Sequence, residues 1–142
     1  MTMTIHVDIV SAETELYSGP VEMVFAPAIM GEVGIAPRHA PLVTRLKPGE
    51  VRLQLSEGKE ESFFVSGGIL EIQPHVVTIL SDSASRTEDL DEAAVLKAKE
   101  EAELAFHDRE GEIDFEHVQQ QMVEARAKYE ALQKLRGRSG RS

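Results

Sequence analysis

The sequence predicts an N-terminal antiparallel β-sandwich followed by a C-terminal antiparallel two-helix hairpin, a fold that is mainly β with an added α part. Two observations carry this prediction. Up to about residue 86, short apolar stretches are separated by turns that contain Gly or Pro. Between residues 90 and 106 neither Gly nor Pro occurs, and the strong helix formers Ala, Leu, Glu and Lys dominate. We therefore expect a sandwich over residues 1–86 and a helical hairpin over residues 87–142.

Alternating apolar and polar side chains mark the strands of the predicted sandwich. Ile5, Val7 and Ile9 alternate with polar residues, and Val51, Leu53 and Leu55 do the same further along. A period of two directs successive side chains to opposite faces of a strand, so these apolar residues are expected to be buried. Gly supplies positive φ angles and Pro presets the first turn position, which makes the intervening segments turns. We predict such turns at residues 47–50, 56–59, 66–68 and 73–75.

The first predicted helix spans about residues 89–106. Asp89 with Glu92 three residues later fits the capping-box pattern, with Asp in place of Ser or Thr. Alanines then recur every four residues and predict a smooth stripe that another helix can approach closely. This stripe consists of Ala94, Ala98 and Ala102.

The second predicted helix spans about residues 114–135, after a polar connection at residues 107–112. Asp114 is a suitable N-cap residue. Apolar residues along this helix step by 3 and 4, which is the seam of a helix with an antiparallel partner. Residues 136–142 are rich in Arg, Gly and Ser, and we expect them to form a disordered basic tail. The seam consists of Phe115, Val118, Met122, Ala125, Tyr129 and Leu132.

Composition and charge exclude several functions. The chain has 142 residues and a net charge of −10, which argues against a nucleic acid partner because phosphate binding needs a basic surface. The absence of Cys removes disulfides and thiolate metal ligands, and no apolar stretch is long enough to span a bilayer. The charge is uneven: residues 88–116 carry 12 acidic and 3 basic side chains, whereas residues 117–142 carry 2 acidic and 6 basic. The C-terminal part is therefore a cationic element on an anionic protein.

Candidate catalytic and metal-binding groups are scattered along the chain. The five His residues include no i,i+4 pair, so we predict no metal site and no cofactor. Ser, His and Asp are all present, but there is no nucleophile-elbow motif and no pattern that places them together. We predict that the chain is not an enzyme.

Several strings, in order along nearly the whole chain, resemble the epsilon subunit family of F-type ATP synthases. Such a resemblance implies a non-catalytic central-stalk (rotor) subunit of the proton-translocating enzyme, located peripherally at the cytoplasmic face of the bacterial inner membrane. The strings are VSAE (residues 10–13), GEVGIAPRHAPL (31–42), SGGILEIQP (66–74), VTILSD (77–82) and LDEA (90–93).

The resemblance also implies partners for the sandwich. The sandwich would bind the gamma subunit and rest on the c-ring, which would be its only and indirect contact with the membrane. Gly31 and Glu32 would contact the c-ring. His39 and Leu42 would lie at or near the gamma subunit.

The hairpin, by the same resemblance, would inhibit ATP hydrolysis by extending into the catalytic head. Its basic residues would meet acidic surfaces of the alpha and beta subunits there. A second interpretation of the same residues is a solvated helix end, whose cations interact favourably with the helix dipole. These basic residues are Arg126, Lys128, Lys134 and Arg136.

Nucleotide binding is a further property of some members of the family. Asp91 matches the acidic position of the helix-opening pattern that binds ATP. Ala94 stands where that pattern has an Arg, and this removes the forked side chain that best matches a phosphate. We expect ATP binding to be weak or absent.

Two functions of other classes stay open on the residues alone. One is a binding module that senses a small ligand at the junction between sandwich and hairpin. The other is a hydrolase built on the sandwich, which would show turnover by the purified chain. Binding of ATP to the isolated chain would favour the first, whereas the rotor interpretation needs partner subunits and no ligand.

Overall fold

Strands form where the alternating pattern occurs. In the computed structural model, which describes residues 3–107 and 115–139, ten strands are found. Their bounds are β1 (Ile5–Ser11), β2 (Glu15–Val21), β3 (Met23–Ala28), β4 (Gly31–Ile35), β5 (Leu42–Leu46), β6 (Gly49–Gln54), β7 (Glu60–Val65), β8 (Gly68–Ile72), β9 (Val76–Ser81) and β10 (Ala84–Arg86).

The strands are hydrogen-bonded in the order β10-β7-β6-β3-β5-β8-β9-β1-β2, with β4 paired to β3 at the side of this path. Among the described residues one neighbouring pair is parallel: β1 runs alongside β9, with His6 opposite Val76 and Ser11 opposite Ser81. The predicted antiparallel pairing holds for the other strand pairs, and this pair departs from it. Seven strands separate β1 from β9 along the chain, and such a long connection allows both to run in the same direction.

The core lies between the curved faces of this sheet and follows the predicted alternation. Ile5, Val7 and Ile9 are buried, as are Val51 and Leu53, whereas the polar residues between them are partly exposed. Side chains from other strands complete this core, and large aromatic or branched residues fill most of its volume. They include Val24, Ile35, Phe63, Leu70, Ile72, Val77 and Ile79.

Helix α1 runs over Glu92–His107, three residues later than predicted. Thr87 is fully buried and its hydroxyl is 2.7 Å from the hydroxyl of Ser62, which holds the chain in a 3-10 turn over Thr87–Asp89. Asp91, rather than the predicted Asp89, caps the helix. Its carboxylate accepts hydrogen bonds from the backbone N–H groups of Ala93 (3.1 Å) and Ala94 (3.4 Å).

Helix α2 runs over Phe115–Ser139 and packs against α1 in the antiparallel direction. Val118, Met122, Ala125 and Leu132 of the predicted seam are buried and Tyr129 is half-buried. This part of the seam prediction is confirmed.

The predicted alanine stripe of α1 borders the groove between the two helices and is only partly covered, with Ala102 half-buried. Ala94 and Ala98 are exposed, whereas Val95 is buried and Lys99 lies over the ring of Tyr129 at 5.0 Å. Burying the larger apolar side chain of Val95 removes more surface from water, so the helix turns this face inward.

The end of α2 also differs from the prediction. The helix continues to Ser139, so residues 136–139 are helical and not part of a disordered tail. Both arginines here have acidic partners: Arg136 pairs with Glu92 and Arg138 with Glu50. The last three residues of the predicted tail, most of the predicted connection and the predicted cap Asp114 lie outside the described residues.

Candidate partner-binding surfaces

The first candidate surface is the outer face of four neighbouring strands, β5, β8, β9 and β1. Val43 is 69% exposed, Ile69 48% and Leu80 47%, and Val10 is half-buried beside them. The strand register aligns Ile69 with Leu80, and Leu80 with Val10, in one row across the sheet. We call this set the outer apolar face: Val10, Val43, Ile69 and Leu80.

The outer apolar face is surrounded by polar groups. Arg45 lies opposite Ile69, and Glu71 lies opposite Val43. Aliphatic side chains on the water side of interior strands leave apolar surface exposed, and a polar border around such a patch is typical of a protein–protein interface. This arrangement can bind a partner through apolar contact and orient it through charge.

The β3–β4 turn forms a second candidate surface. Met30 is 93% exposed at its tip and Ile29 beside it is 56% exposed. Gly31 follows with a φ of +127°, a backbone conformation that favours glycine. The Glu32 carboxylate is exposed and lies 3.6 Å from the guanidinium of Arg52. The sequence analysis selected Gly31 and Glu32 but not Met30. An apolar residue directly before the glycine of a tight turn is the feature that could have indicated Met30.

His39 and Leu42 lie near the other end of β4 and at the start of β5. The His39 ring nitrogen Nδ1 is 2.7 Å from the carbonyl oxygen of Ala40. Leu42 is 39% exposed and faces the same side as its partner Ile72, so it lies on the opposite face of β5 from Val43. Leu42 therefore lies outside the outer apolar face, and the sequence analysis did not select Val43, Ile69 and Leu80, whose apolar character suggested core.

The predicted basic residues of α2 engage acidic or aromatic partners in this conformation. Arg126 donates to Glu103 at 3.1 Å, and the pKa of Glu103 is lowered by that hydrogen bond and by a second one from Lys99. Lys128 lies 3.6 Å from Glu124 and 5.5 Å from the ring centroid of Phe64.

The other two residues of the predicted basic set lie nearer the end of the helix. Arg136 pairs with Glu92, and Lys134 is exposed. Arg126 and Arg136 therefore join the two helices and Lys128 lies against the sandwich. The predicted role of the four residues toward the catalytic head stays a prediction.

Asp91 lies at one end of a groove between the two helices. The groove has a volume of about 710 Å³, and its charged lining consists of Asp91, Glu101, Glu124 and Lys128. Three carboxylates and one ammonium repel a polyphosphate. Ala94 also lines the groove and offers no cation. The cap of α1 accounts for Asp91, and weak or absent nucleotide binding stays the prediction.

The structure brings together three residue types that the sequence left apart. His6 and Asp8 on β1 face Ser18 on β2, with the Asp8 carboxylate 2.7 Å from the Ser18 hydroxyl and 3.0 Å from His6 Nε2. The hydrogen bond from Ser18 is the main cause of the lowered pKa of Asp8, burial opposes it, and His6 adds to it.

This cluster does not have the geometry of a hydrolytic triad. Nε2 of His6 is the nitrogen that faces both Asp8 and Ser18, the latter at 3.2 Å. A triad uses one ring nitrogen for the carboxylate and the other for the hydroxyl, so no proton relay connects these groups. The residues form a cross-strand hydrogen-bonded cluster. Over residues 3–107 and 115–139 no group of three or more potential ligands is arranged for a metal ion.

The fold and these surfaces define a class of protein: a β-sandwich with an exposed apolar face on some strands and a helical hairpin docked on others, β6 and β7. Residues 4–87 match the family described as "ATP synthase, Delta/Epsilon chain, beta-sandwich domain", and residues 88–133 match "ATP synthase, Delta/Epsilon chain, long alpha-helix domain". None of the described helices is long and apolar enough to cross a membrane.

Curated relatives support the same family. The ATP synthase epsilon chain of Nitrosococcus oceani is 61% identical over 140 residues, covering 99% of this chain and 100% of the relative. That of Alkalilimnicola ehrlichii is 54% identical over 138 residues, covering 97% and 99%. The chain belongs to the ATP synthase delta/epsilon chain family, as an epsilon-type, non-catalytic subunit of F-type ATP synthase. The predicted family, fold and lack of catalytic function are confirmed.

Solved structures share the fold at low sequence identity. A chain in the Euglena gracilis mitochondrial ATP synthase (OSCP/F1/c-ring, rotational state 1) has a TM-score of 0.74 at 23% identity, covering 96% of this chain and 81% of its own. A chain in the central stalk/c-ring of the Tetrahymena thermophila enzyme has a TM-score of 0.63 at 12% identity, covering 92% and 98%.

Proposed function

We propose that the chain is a rotor subunit that joins the catalytic head of the synthase to its c-ring, and that the outer apolar face binds the gamma subunit. The observation that carries this proposal is the exposure of Val43, Ile69 and Leu80 on interior strands, where water would otherwise contact aliphatic surface. His39 and Leu42 are proposed as further contacts of the gamma subunit, outside the outer apolar face.

The β3–β4 turn is the proposed contact with the c-ring. Met30 supplies an apolar tip, and Glu32 supplies a carboxylate that Arg52 holds at the base of the turn. A rigid turn with one apolar and one anionic group suits the polar loops of a ring of membrane subunits. In this arrangement the chain is peripheral at the cytoplasmic face of the bacterial inner membrane and reaches the membrane through the ring.

The hairpin is the proposed inhibitory element. Docked on the sandwich it leaves rotation free; released and extended, it obstructs rotation in the direction of ATP hydrolysis. Release breaks the contacts of Lys128 with Phe64 and of Arg138 with Glu50, and can expose the basic residues of α2 to acidic surfaces of the alpha and beta subunits. Two states that differ by a few kcal/mol are enough for such a switch.

Substitution within the outer apolar face tests the gamma interface. Ile69→Lys is expected to weaken binding to the gamma subunit by about tenfold or more, because a charge replaces a buried aliphatic contact. Leu96→Lys is the matched control, since Leu96 is 38% exposed on α1, away from this face. Equal affinity of both variants, measured by surface plasmon resonance on immobilised gamma, would exclude the outer apolar face as the interface.

Hydrolysis by an epsilon-depleted catalytic head tests the inhibitory role. The comparison is between the full chain and residues 1–90, which keep the whole sandwich core and the buried Thr87. We expect both to bind and the full chain alone to slow hydrolysis. Equal slowing by both chains would contradict inhibition by the hairpin, and failure of both to bind would contradict the rotor role.

A further inference from the structure

One carboxylate beneath the C-terminal end of α2 is almost completely covered. The side chain of Glu50, at the start of β6, is 7% exposed. Its oxygens accept a hydrogen bond from the Ser62 hydroxyl and two from the guanidinium of Arg138, one of them at 3.3 Å. Two N–H donors of one guanidinium on one carboxylate form the strongest and most directional type of ion pair.

The same cluster joins four parts of the molecule. Ser62 lies on β7 and contacts Thr87 in the 3-10 turn before α1. Arg138 also has its Nε 3.5 Å from the Glu60 carboxylate, at the start of β7. Glu50 and Arg138 are 88 residues apart in the sequence. The last turn of α2 is therefore fastened to the sandwich at one charged point.

A neighbouring arginine makes a different connection. Arg136 pairs with Glu92 at the start of α1, so this pair joins the two helices to each other. Both partners are well exposed, at 63% and 44%. Exposed pairs contribute little, whereas removing one partner of a covered pair leaves the other charge poorly compensated. Without Arg138 the Glu50 carboxylate would keep the longer contact with Arg52, at 4.0 Å.

We propose that Arg138 and Glu50 form a latch that sets how often the hairpin leaves the sandwich. Loss of the Arg138 guanidinium destabilises the docked state alone, because undocking returns the Glu50 carboxylate to water. The inference rests on the proposed movement of the hairpin and adds the residue pair that controls it.

Salt can reach the latch. A cavity of about 430 Å³ lies beside it between α2 and the sandwich, lined by Pro27, Lys47, Lys134 and both latch residues. Because Arg138 is 29% exposed and Glu50 only 7%, dissolved ions screen this pair in part, and the docked fraction of the chain is expected to fall modestly as ionic strength rises.

Distance measurement on the free full-length chain tests the latch. The chain has no Cys, so Lys59→Cys on the sandwich and Gln133→Cys on α2, both exposed positions, can carry two spin labels without background. Pulsed electron–electron double resonance then measures the distance between the two labels in the docked chain and any longer distance in the undocked chain. Arg138→Gln is expected to raise the ratio of undocked to docked chain by about tenfold or more, and to reduce its dependence on salt.

Arg136→Gln is the matched control, because it removes the same charge two residues away from a well-exposed ion pair. We expect it to change the docked fraction by less than about twofold. An unchanged docked fraction in Arg138→Gln, or an equal change in both variants, overturns the latch.

A double substitution tests the pairing itself. In a Glu50→Gln background, Arg138→Gln is expected to have a clearly smaller effect, because the covered partner is already gone and the Glu60 carboxylate at 3.5 Å remains. A full effect in that background overturns the latch. If Glu50→Gln does not fold, Arg138→Lys is used in its place. Lysine keeps the positive charge but cannot bind both carboxylate oxygens as the guanidinium does. A docked fraction between those of the unmodified chain and Arg138→Gln agrees with the latch, and any other value overturns it.

Inhibition of hydrolysis is a separate readout. If the latch and the inhibitory role are both correct, Arg138→Gln should inhibit more strongly than the unmodified chain, because more hairpin is released. A variant that undocks without added inhibition contradicts the inhibitory role and leaves the latch standing. A variant that stays docked contradicts the latch and leaves the inhibitory role to the truncation test.

Discussion

The sandwich and the hairpin are stabilised by different kinds of contact. Among the described residues, the large side chains that are less than 2% exposed all belong to the sandwich. The buried residues of the two helices are few and mostly keep 5–8% exposure, and ion pairs surround them: Arg126 with Glu103, Arg136 with Glu92 and Arg138 with Glu50. Apolar burial stabilises the first region, and small apolar contacts assisted by charge hold the second.

This difference has a consequence for motion. Apolar cores are close-packed and open only when the whole domain unfolds. A helix pair that buries little surface and relies on charge can leave its docking site while the sandwich stays folded. The contrast therefore agrees with the two proposed roles, a sandwich that binds partner subunits and a hairpin that moves.

Two equivalent leucine truncations test the contrast and are expected to have the largest effects. Leu53→Ala in the sandwich should lower the free energy of unfolding of the sandwich by about 2–5 kcal/mol, because the site is fully enclosed. Leu132→Ala in α2 should leave the free energy of unfolding of the sandwich nearly unchanged. It should destabilise the docked hairpin by about 2 kcal/mol at most, because the helices can shift and close part of the cavity.

Urea denaturation with two probes measures both effects. The chain has two Tyr residues and no Trp. Tyr17 packs edge-on against Phe63 in the sandwich, so its fluorescence in a Tyr129→Phe background reports that region, and far-UV circular dichroism reports the helices. If Leu132→Ala shifts the urea midpoint of the Tyr17 transition as much as Leu53→Ala does, the two regions unfold as one unit and the contrast fails.

Helix capping provides an intermediate effect. Asp91→Ala should cost about 1 kcal/mol of helix stability, since two backbone N–H groups lose their acceptor. Asp89→Ala is the matched control: Asp89 is exposed, precedes the helix, and should change helix content by a few tenths of a kcal/mol. Thermal unfolding followed by circular dichroism distinguishes the two, and equal losses would contradict the assignment of the cap to Asp91.

The smallest predicted effect is a pH dependence of the sandwich. The pKa of Asp8 lies below its ordinary value of 3.8, mainly because Ser18 donates to its carboxylate. The folded state then binds fewer protons than the unfolded state, so this contribution is present above pH 3.8 and is lost as the pH falls through the folded pKa. Ser18→Ala should make the free energy of unfolding depend less on pH below about 3.8, as measured by urea denaturation at several pH values. An unchanged slope would show that the hydrogen bond from Ser18 is not the cause.

Local patterns were enough to predict both regions and much of their cores. The period of two in Ile5, Val7 and Ile9 identified buried residues correctly, and the 3–4 steps from Val118 to Leu132 identified the buried face of α2. Such patterns succeed because the spacing of apolar side chains records directly which face of an element leaves water.

Contacts between distant segments decided the rest. The parallel pairing of β1 with β9, the inward face of α1, the extra helical turn to Ser139 and the pairing of Glu50 with Arg138 each depend on residues far apart in sequence. The exposed Val43, Ile69 and Leu80 have the same character as core residues, and their position on the water side follows from strand register alone. A one-dimensional pattern determines which residues favour burial, whereas the packing of whole elements determines which of them are covered and which are left for a partner.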